Sequence, residues 1–199
     1  MAYPTVSGPY GLKPIKLMGG RVYAGSTTKY PIASGTTTAI FSGDVVKLIS
    51  AGTLERDAGT DAATPVGVLL GCSYTDSDLG FVNRQHYPGA ITASDIMATV
   101  CDDPDVIMKV AVVSATTTIG YFNRTAVGNN AVIVSNTGDT TTGNSRIAVD
   151  NTTATTTTWP LRIIGLVDET TWAGEPGSYS EAIVIWNDGM HQFRNATGV

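Results

Sequence analysis

The sequence predicts an all-β fold, a barrel or sandwich, and three observations carry that expectation. β-Branched residues dominate, with threonine gathered at Thr36-Thr37-Thr38, Thr116-Thr117-Thr118, Thr140-Thr141-Thr142 and Thr155-Thr156-Thr157-Thr158; such side chains are stiff and suit a pleated surface better than a helix. Glu and Lys, which form helix surfaces, are scarce in a chain with only 15% charged residues. From Ile15 onward, turn residues recur at about the eight- to twelve-residue spacing of sandwiches and barrels.

Residues 1–14 interleave Pro4, Gly8, Pro9, Gly11 and Pro14 with Tyr3, Tyr10 and Leu12. Proline and glycine at that density forbid a helix, so an extended N-terminal arm is expected, held by a neighbouring subunit or folded back as an edge strand of its own sheet. Gly19-Gly20 separates Ile15–Met18 from Arg21-Val22-Tyr23 and predicts a hairpin turn with positive φ. Tyr30–Ala33 and Ala39–Phe41 flank Gly35. Next comes a cassette: Ser42-Gly43-Asp44, Val45-Val46-Lys47-Leu48-Ile49, Gly52-Thr53-Leu54-Glu55-Arg56 and Pro65-Val66-Gly67-Val68-Leu69-Leu70-Gly71. Each piece is a strand-sized apolar run bounded by turn formers, which reads as a compact β-meander.

Asp102-Asp103-Pro104-Asp105 breaks the chain between Ile96–Val100 and Val106–Val113, because proline removes a ladder donor and aspartate satisfies turn amides. The second of these strands is nearly continuous in apolar residues and should lie centrally, covered on both faces apart from Lys109. Residues 126–160 are the least hydrophobic and are expected to form long, outward polar loops. Two clear strands follow, Trp159–Val167 and Glu181–Trp186, separated by a Gly174-Glu175-Pro176-Gly177 turn. The expected organisation is therefore an arm over 1–14, a single β domain over 15–190 with any subdivision placed near 113–121, and a tail over 191–199. No repeat of fixed period appears.

Composition excludes several functions. The net charge is −5 and no run of three Lys or Arg occurs, so nucleic acid is not an expected partner. No apolar stretch reaches the roughly 18 residues of a membrane span, and Met1-Ala2-Tyr3-Pro4 has neither a basic nor an apolar leader region, so neither a membrane nor export by a signal peptide is expected. Cys72 and Cys101 are too few for a disulfide framework; one bridge between them is conceivable, but two small core thiols is the favoured reading.

Catalytic chemistry finds no convergent residues. Asp102, Asp103 and Asp105 resemble a hard-cation cluster but lack the glycine and distal glutamate of a calcium loop, and Asp57 with Asp61 is equally short of ligands. His86 and His191 are far apart in sequence, and no nucleophile elbow or phosphate cradle is present. Neither an enzyme nor a bound metal or cofactor is expected. Trp159, Trp172 and Trp186 with Tyr179 would be the residues to line a sugar-binding face, although such rings more often fill cores or subunit seams.

The ordered series Gly11–Ile15, Ser42–Leu48, Pro65–Tyr74, Asp102–Asp105, Thr142–Ser145, Pro160–Leu166 and the tail to Gly198-Val199 resembles a family of tailed-phage virion proteins of marine and freshwater phages, the head decoration or cement proteins. Leu54–Thr75 is in addition similar to the central part of lambdoid head-decoration proteins. That likeness implies a β-tulip-like module, trimerisation and an arm that clasps the capsid. Taken together, the resemblance implies a structural protein made in the host cytoplasm and carried on the outer surface of the head. Its partners would be the major capsid protein and further copies of itself, a trimer in preference to a dimer. The expected capsid contacts are Tyr3, Val6, Tyr10 and Leu12 in the arm and Phe193, Arg194 and Val199 in the tail. A head fibre base, a tail component and a host-glycan-binding module are the alternatives.

Overall fold

The computed structural model describes residues 8–167 and 179–199. Its strands are β1 (Lys13–Leu17), β2 (Thr28–Pro31), β3 (Val45–Leu48), β4 (Leu54–Arg56), β5 (Gly67–Asp76), β6 (Gly80–Arg84), β7 (Met97–Cys101), β8 (Val106–Ala115), β9 (Thr118–Ile119), β10 (Asn130–Val134), β11 (Ala148–Ala154), β12 (Leu161–Leu166) and β13 (Glu181–Trp186). Short 3-10 turns are the helical segments among the described residues. The all-β expectation is met.

The strands form two sheets. In the first, β8, β11, β10, β12 and β13 follow one another and β13 returns to β8, closing a five-stranded barrel to which β1 and β9 are added through β8. One pair, β8 with β11, is parallel; the rest are antiparallel. Closing so small a barrel demands sharp bending, and register shifts occur at Ala131/Ile133 and Ile163/Gly165, where an extra residue in one strand increases local twist. The second sheet runs β2-β7-β5-β3-β4, with β6 hairpinned onto the far half of β5.

Side-chain alternation explains how the sheets stack. Val45, Val68 and Cys101 of the second sheet share a buried cluster with Val106, Met108, Val110, Val149, Ile163 and Val184 of the barrel. Their strand neighbours Val46, Leu69 and Val100 point the other way, into a second cluster with Ile32, Ile40, Tyr74, Tyr87 and Ile96. The second sheet is thus a middle layer, apolar on both faces, which is why its strands read as continuous hydrophobic runs rather than alternating ones. β8 behaves as the sequence predicts: Val106 to Val113 are buried except for half-buried Lys109.

Several sequence expectations need correction. β5 pairs with β3 and not with β4, so the cassette is a hairpin flanked on its first strand by β5 and not a meander. The chain passes from the barrel sheet to the second sheet between β1 and β2 and returns at Asp102–Asp105, between β7 and β8; 113–121 lies inside the barrel sheet, where β8 turns into β9. The polar stretch 126–160 is less outward than its composition suggests. Ala131, Ile133, Ile147 and Val149 are core residues, and the loop between β10 and β11 is pressed against the second sheet. Thr155–Thr158 do stand exposed. The Gly19-Gly20 hairpin forms with φ of 73° and 76°, and Leu17 N donates to Arg21 O. The Gly174–Gly177 turn lies outside the described residues.

Candidate interaction surface

The expected capsid contacts fall into three groups. Tyr3 and Val6 lie outside the described residues. Tyr10 and Leu12 are committed to their own fold. Gly11 N donates to Ile147 O, Leu12 N donates to Gly43 O, and the Leu12 side chain is 1% exposed within the barrel cluster. Burying a leucine completely stabilises by about 1.5–3 kcal/mol, and using it as an external contact would forfeit that gain. Tyr10 donates its phenol to Glu181 Oε1 at 2.5 Å, and Lys109 Nζ lies 3.0 Å from the same oxygen. Burial, and then the Glu181 carboxylate, push the Tyr10 phenol well above its ordinary range. Lys13–Leu17 is a strand of the domain, so residues 8–14 lead into the domain's own edge strand and are not a free arm.

The tail supplies the third group. Phe193 is 57% exposed and Val199 is exposed, while Arg194 reaches Asp105 Oδ1 at 2.5 Å. Asp105 Oδ2 is held at 3.1 Å by Arg21, and Met18 N donates to Asp105 O. The turn between β7 and β8 therefore gathers the β1 hairpin and the tail at one hub. The large apolar side chains next to its three anchors, namely Met18, Val22 and Phe193, all face solvent, Val22 being 81% exposed. Sequence reading finds the tail half of this surface. It misses Met18 and Val22, although a valine two residues past a glycine turn, with nothing to alternate against, is a signal for exposure.

A second exposed apolar pair caps the hairpin of β5 and β6. Asp76 Oδ1 accepts from the amides of Asp78 and Leu79, which stiffens the tip, and Leu79 and Phe81 are 68% and 65% exposed. A polar cleft of about 690 Å³ runs beside Tyr10, Lys13, Lys109, Asp139, Arg146 and Glu181. Its charges are mixed, and its walls lead directly into segments outside the described residues.

Beside the apolar cluster that the two sheets share, a buried polar group also links them. Asp44 is fully buried; its Oδ2 accepts from Phe41 N at 2.9 Å, its Oδ1 accepts from Ser145 Oγ at 2.6 Å, and Arg56 Nε lies 3.0 Å from Oδ2. Arg56 also donates to Asn136 O at 2.6 Å. Burial raises the Asp44 carboxyl above the ordinary carboxylate value, with Arg56 the main opposing influence. Chain crossings beside this site need glycine: a Cβ on Gly11, where φ is +83°, would sit 2.6 Å from Ser145 Cβ and 2.8 Å from Gly43 O.

Asp57 accepts from Gly59 N and Thr64 N in a loop, and no His, Cys, Asp or Glu cluster able to hold a metal occurs among the described residues. Cys72 and Cys101 are buried free thiols. Trp186 is 5% exposed within the barrel cluster and offers no ring face to a sugar; Trp172 lies outside the described residues. Among the described residues no helix is long and apolar enough to cross a membrane. No protein-family model matches the chain, and neither a curated protein nor a solved structure matches it.

Proposed function

We propose that this chain is a structural protein of a tailed-phage virion that binds the outer surface of the head and cements its capsid subunits. One observation carries the reading furthest: the β1 hairpin and the tail converge on Asp105 and leave Met18, Val22 and Phe193 exposed around one ion-paired hub. Exposed apolar side chains on short turns that are tied to one hub suit the buried centre of a protein interface. The partner in this reading is the major capsid protein, with further copies of the chain, three in preference to two, sharing each site. Many copies acting on one shell make individually weak contacts effective.

Purified protein mixed with expanded and unexpanded empty heads tests the reading. Saturable binding to expanded heads at a lattice-compatible ratio supports it. Replacing Val22, 81% exposed, with aspartate should then weaken binding at least tenfold without disturbing the fold. Absence of binding to either kind of head refutes the assignment.

A further inference from the structure

We propose that the C-terminal segment His191–Asn195 is an acid-released strap: it holds the barrel and the second sheet together while His191 is neutral and lets go when that ring takes up a proton.

The strap is built from four attachments. Gln192 N donates to Pro65 O at 2.8 Å. The Gln192 side chain meets the backbone of β3 twice, accepting from Leu48 N at 2.8 Å and donating to Leu48 O at 2.9 Å, as a paired strand residue would. Arg194 reaches Asp105. His191, 1% exposed, packs its ring 6.3 Å from Trp186 of β13 and 5.6 Å from Phe193, and its Nδ1 accepts from Phe193 N at 3.2 Å. The last contact makes the strap sensitive to protons. Because Nδ1 is the acceptor, the neutral ring carries its hydrogen on Nε2. A second proton can go only to Nδ1, where it would point a donor at the Phe193 amide and break that bond.

The resulting charge is only partly compensated. Nε2 is buried and forms no hydrogen bond within the protein. The groups around the ring are the backbone at Val66 on the loop before β5, Asp102 and Asp103 in the β7–β8 turn, and Arg194 on the strap itself, while β13 presents the neutral Trp186. The carboxylates and the Val66 backbone favour a charged imidazole; burial and Arg194 oppose it, and burial is the largest influence, so the docked ring takes up a proton less readily than a free one. A histidine held neutral by the docked state favours undocking as pH falls below its ordinary value of about 6.5, and the effect saturates once the docked ring itself titrates. This inference stands apart from the capsid reading.

Amide exchange on the full chain between pH 7.5 and 5 tests it. Protection factors at Leu48, Gln192 and Phe193 should fall by up to about tenfold per pH unit below about 6.5, while Val112, whose amide bonds Ser180 O inside the barrel, stays protected. H86Q should keep this response and H191Q should abolish it. Unchanged protection at the three strap amides overturns the proposal, as does a response that survives H191Q or disappears in H86Q. If H191Q fails to fold, the wild-type imidazole resonance decides: a ring that protonates while the Phe193 amide remains protected refutes the strap, and one that protonates in step with loss of that protection supports it.

Discussion

Replacing Arg56 with methionine puts the joint between the sheets to a quantitative test. The substitution keeps most of the side-chain volume, removes the charge 3.0 Å from Asp44, and leaves a carboxylate with no exposed surface facing only Phe41 N and Ser145 Oγ. Breaking a buried pair by deleting one partner costs about 3–5 kcal/mol, whereas an exposed pair is worth about 0–1 kcal/mol; with the Arg56 side chain 14% exposed, the larger range applies. Against a total stability of about 5–15 kcal/mol, that is a severe loss, and for a chain of this size it lowers Tm by roughly 6–20 °C. The pH dependence is diagnostic. The Asp44 carboxyl is already raised by burial and rises further without Arg56, so the folded variant binds a proton that the unfolded chain does not. Its deficit relative to wild type is therefore greatest above the variant's folded value and shrinks as pH falls through that value toward the lower folded value of wild-type Asp44, by at most about 1.4 kcal/mol per pH unit. Urea denaturation at pH 7.5 and pH 5 measures both effects, and adding Asp44→Asn to the variant should recover all but about 1 kcal/mol, the worth of the lost bond to Asn136. A loss below 1 kcal/mol, equal at both pH values, would refute the reasoning.

Two further outcomes are expected. Gly67→Ala would place a Cβ 2.2 Å from Cys101 O in the β5–β7 ladder, and the strands must separate to admit it; urea denaturation should show at least the 1–3 kcal/mol typical of overpacking. Burial lifts the Cys72 thiol to about 11 and raises that of Cys101, so native protein should leave a thiol reagent unreacted at pH 8 and release two equivalents on unfolding; prompt reaction in the native state would contradict the burial of either.

The apolar strands were legible in the sequence because runs bounded by Gly, Pro and Asp leave few alternatives, whereas the exposed strands β6 and β9 carry no such run and were not read. Val106–Val113, the Asp102–Asp105 break and the Gly19-Gly20 turn lie where those residues place them. Pairing order was not legible. β4 and β5 are neighbours in sequence, yet β5 lies against β3, a choice made by which faces of Val45 and Val46 find partners rather than by any local signal. The polar loop before β11 misled for a related reason: Ser145 looks solvated by composition, but its hydroxyl donates to buried Asp44, 101 positions away in the chain, and buried Asn136 bonds the backbone of Thr116 and Arg146. The site divides in the same way. The exposure of Phe193 follows from an aromatic ring in a short polar tail, while the convergence of Arg21 and Arg194 on Asp105 is a product of tertiary structure alone.

Barrel closure through the pairing of β13 with β8 constrains the order in which the molecule is made. Every strand of the second sheet lies within residues 28–101, so that sheet can assemble as soon as this length has left the ribosome. Its Val45, Val68 and Cys101 face then waits, uncovered, for the barrel. The barrel remains an open sheet with two bare edges until Glu181–Trp186 emerges and pairs with Ala111–Met108. Non-local closure of this kind is slow and leaves unpaired edges exposed to aggregation. The hazard to a nascent chain is therefore concentrated in the interval between synthesis of β8 and synthesis of β13, and a pause there prolongs it.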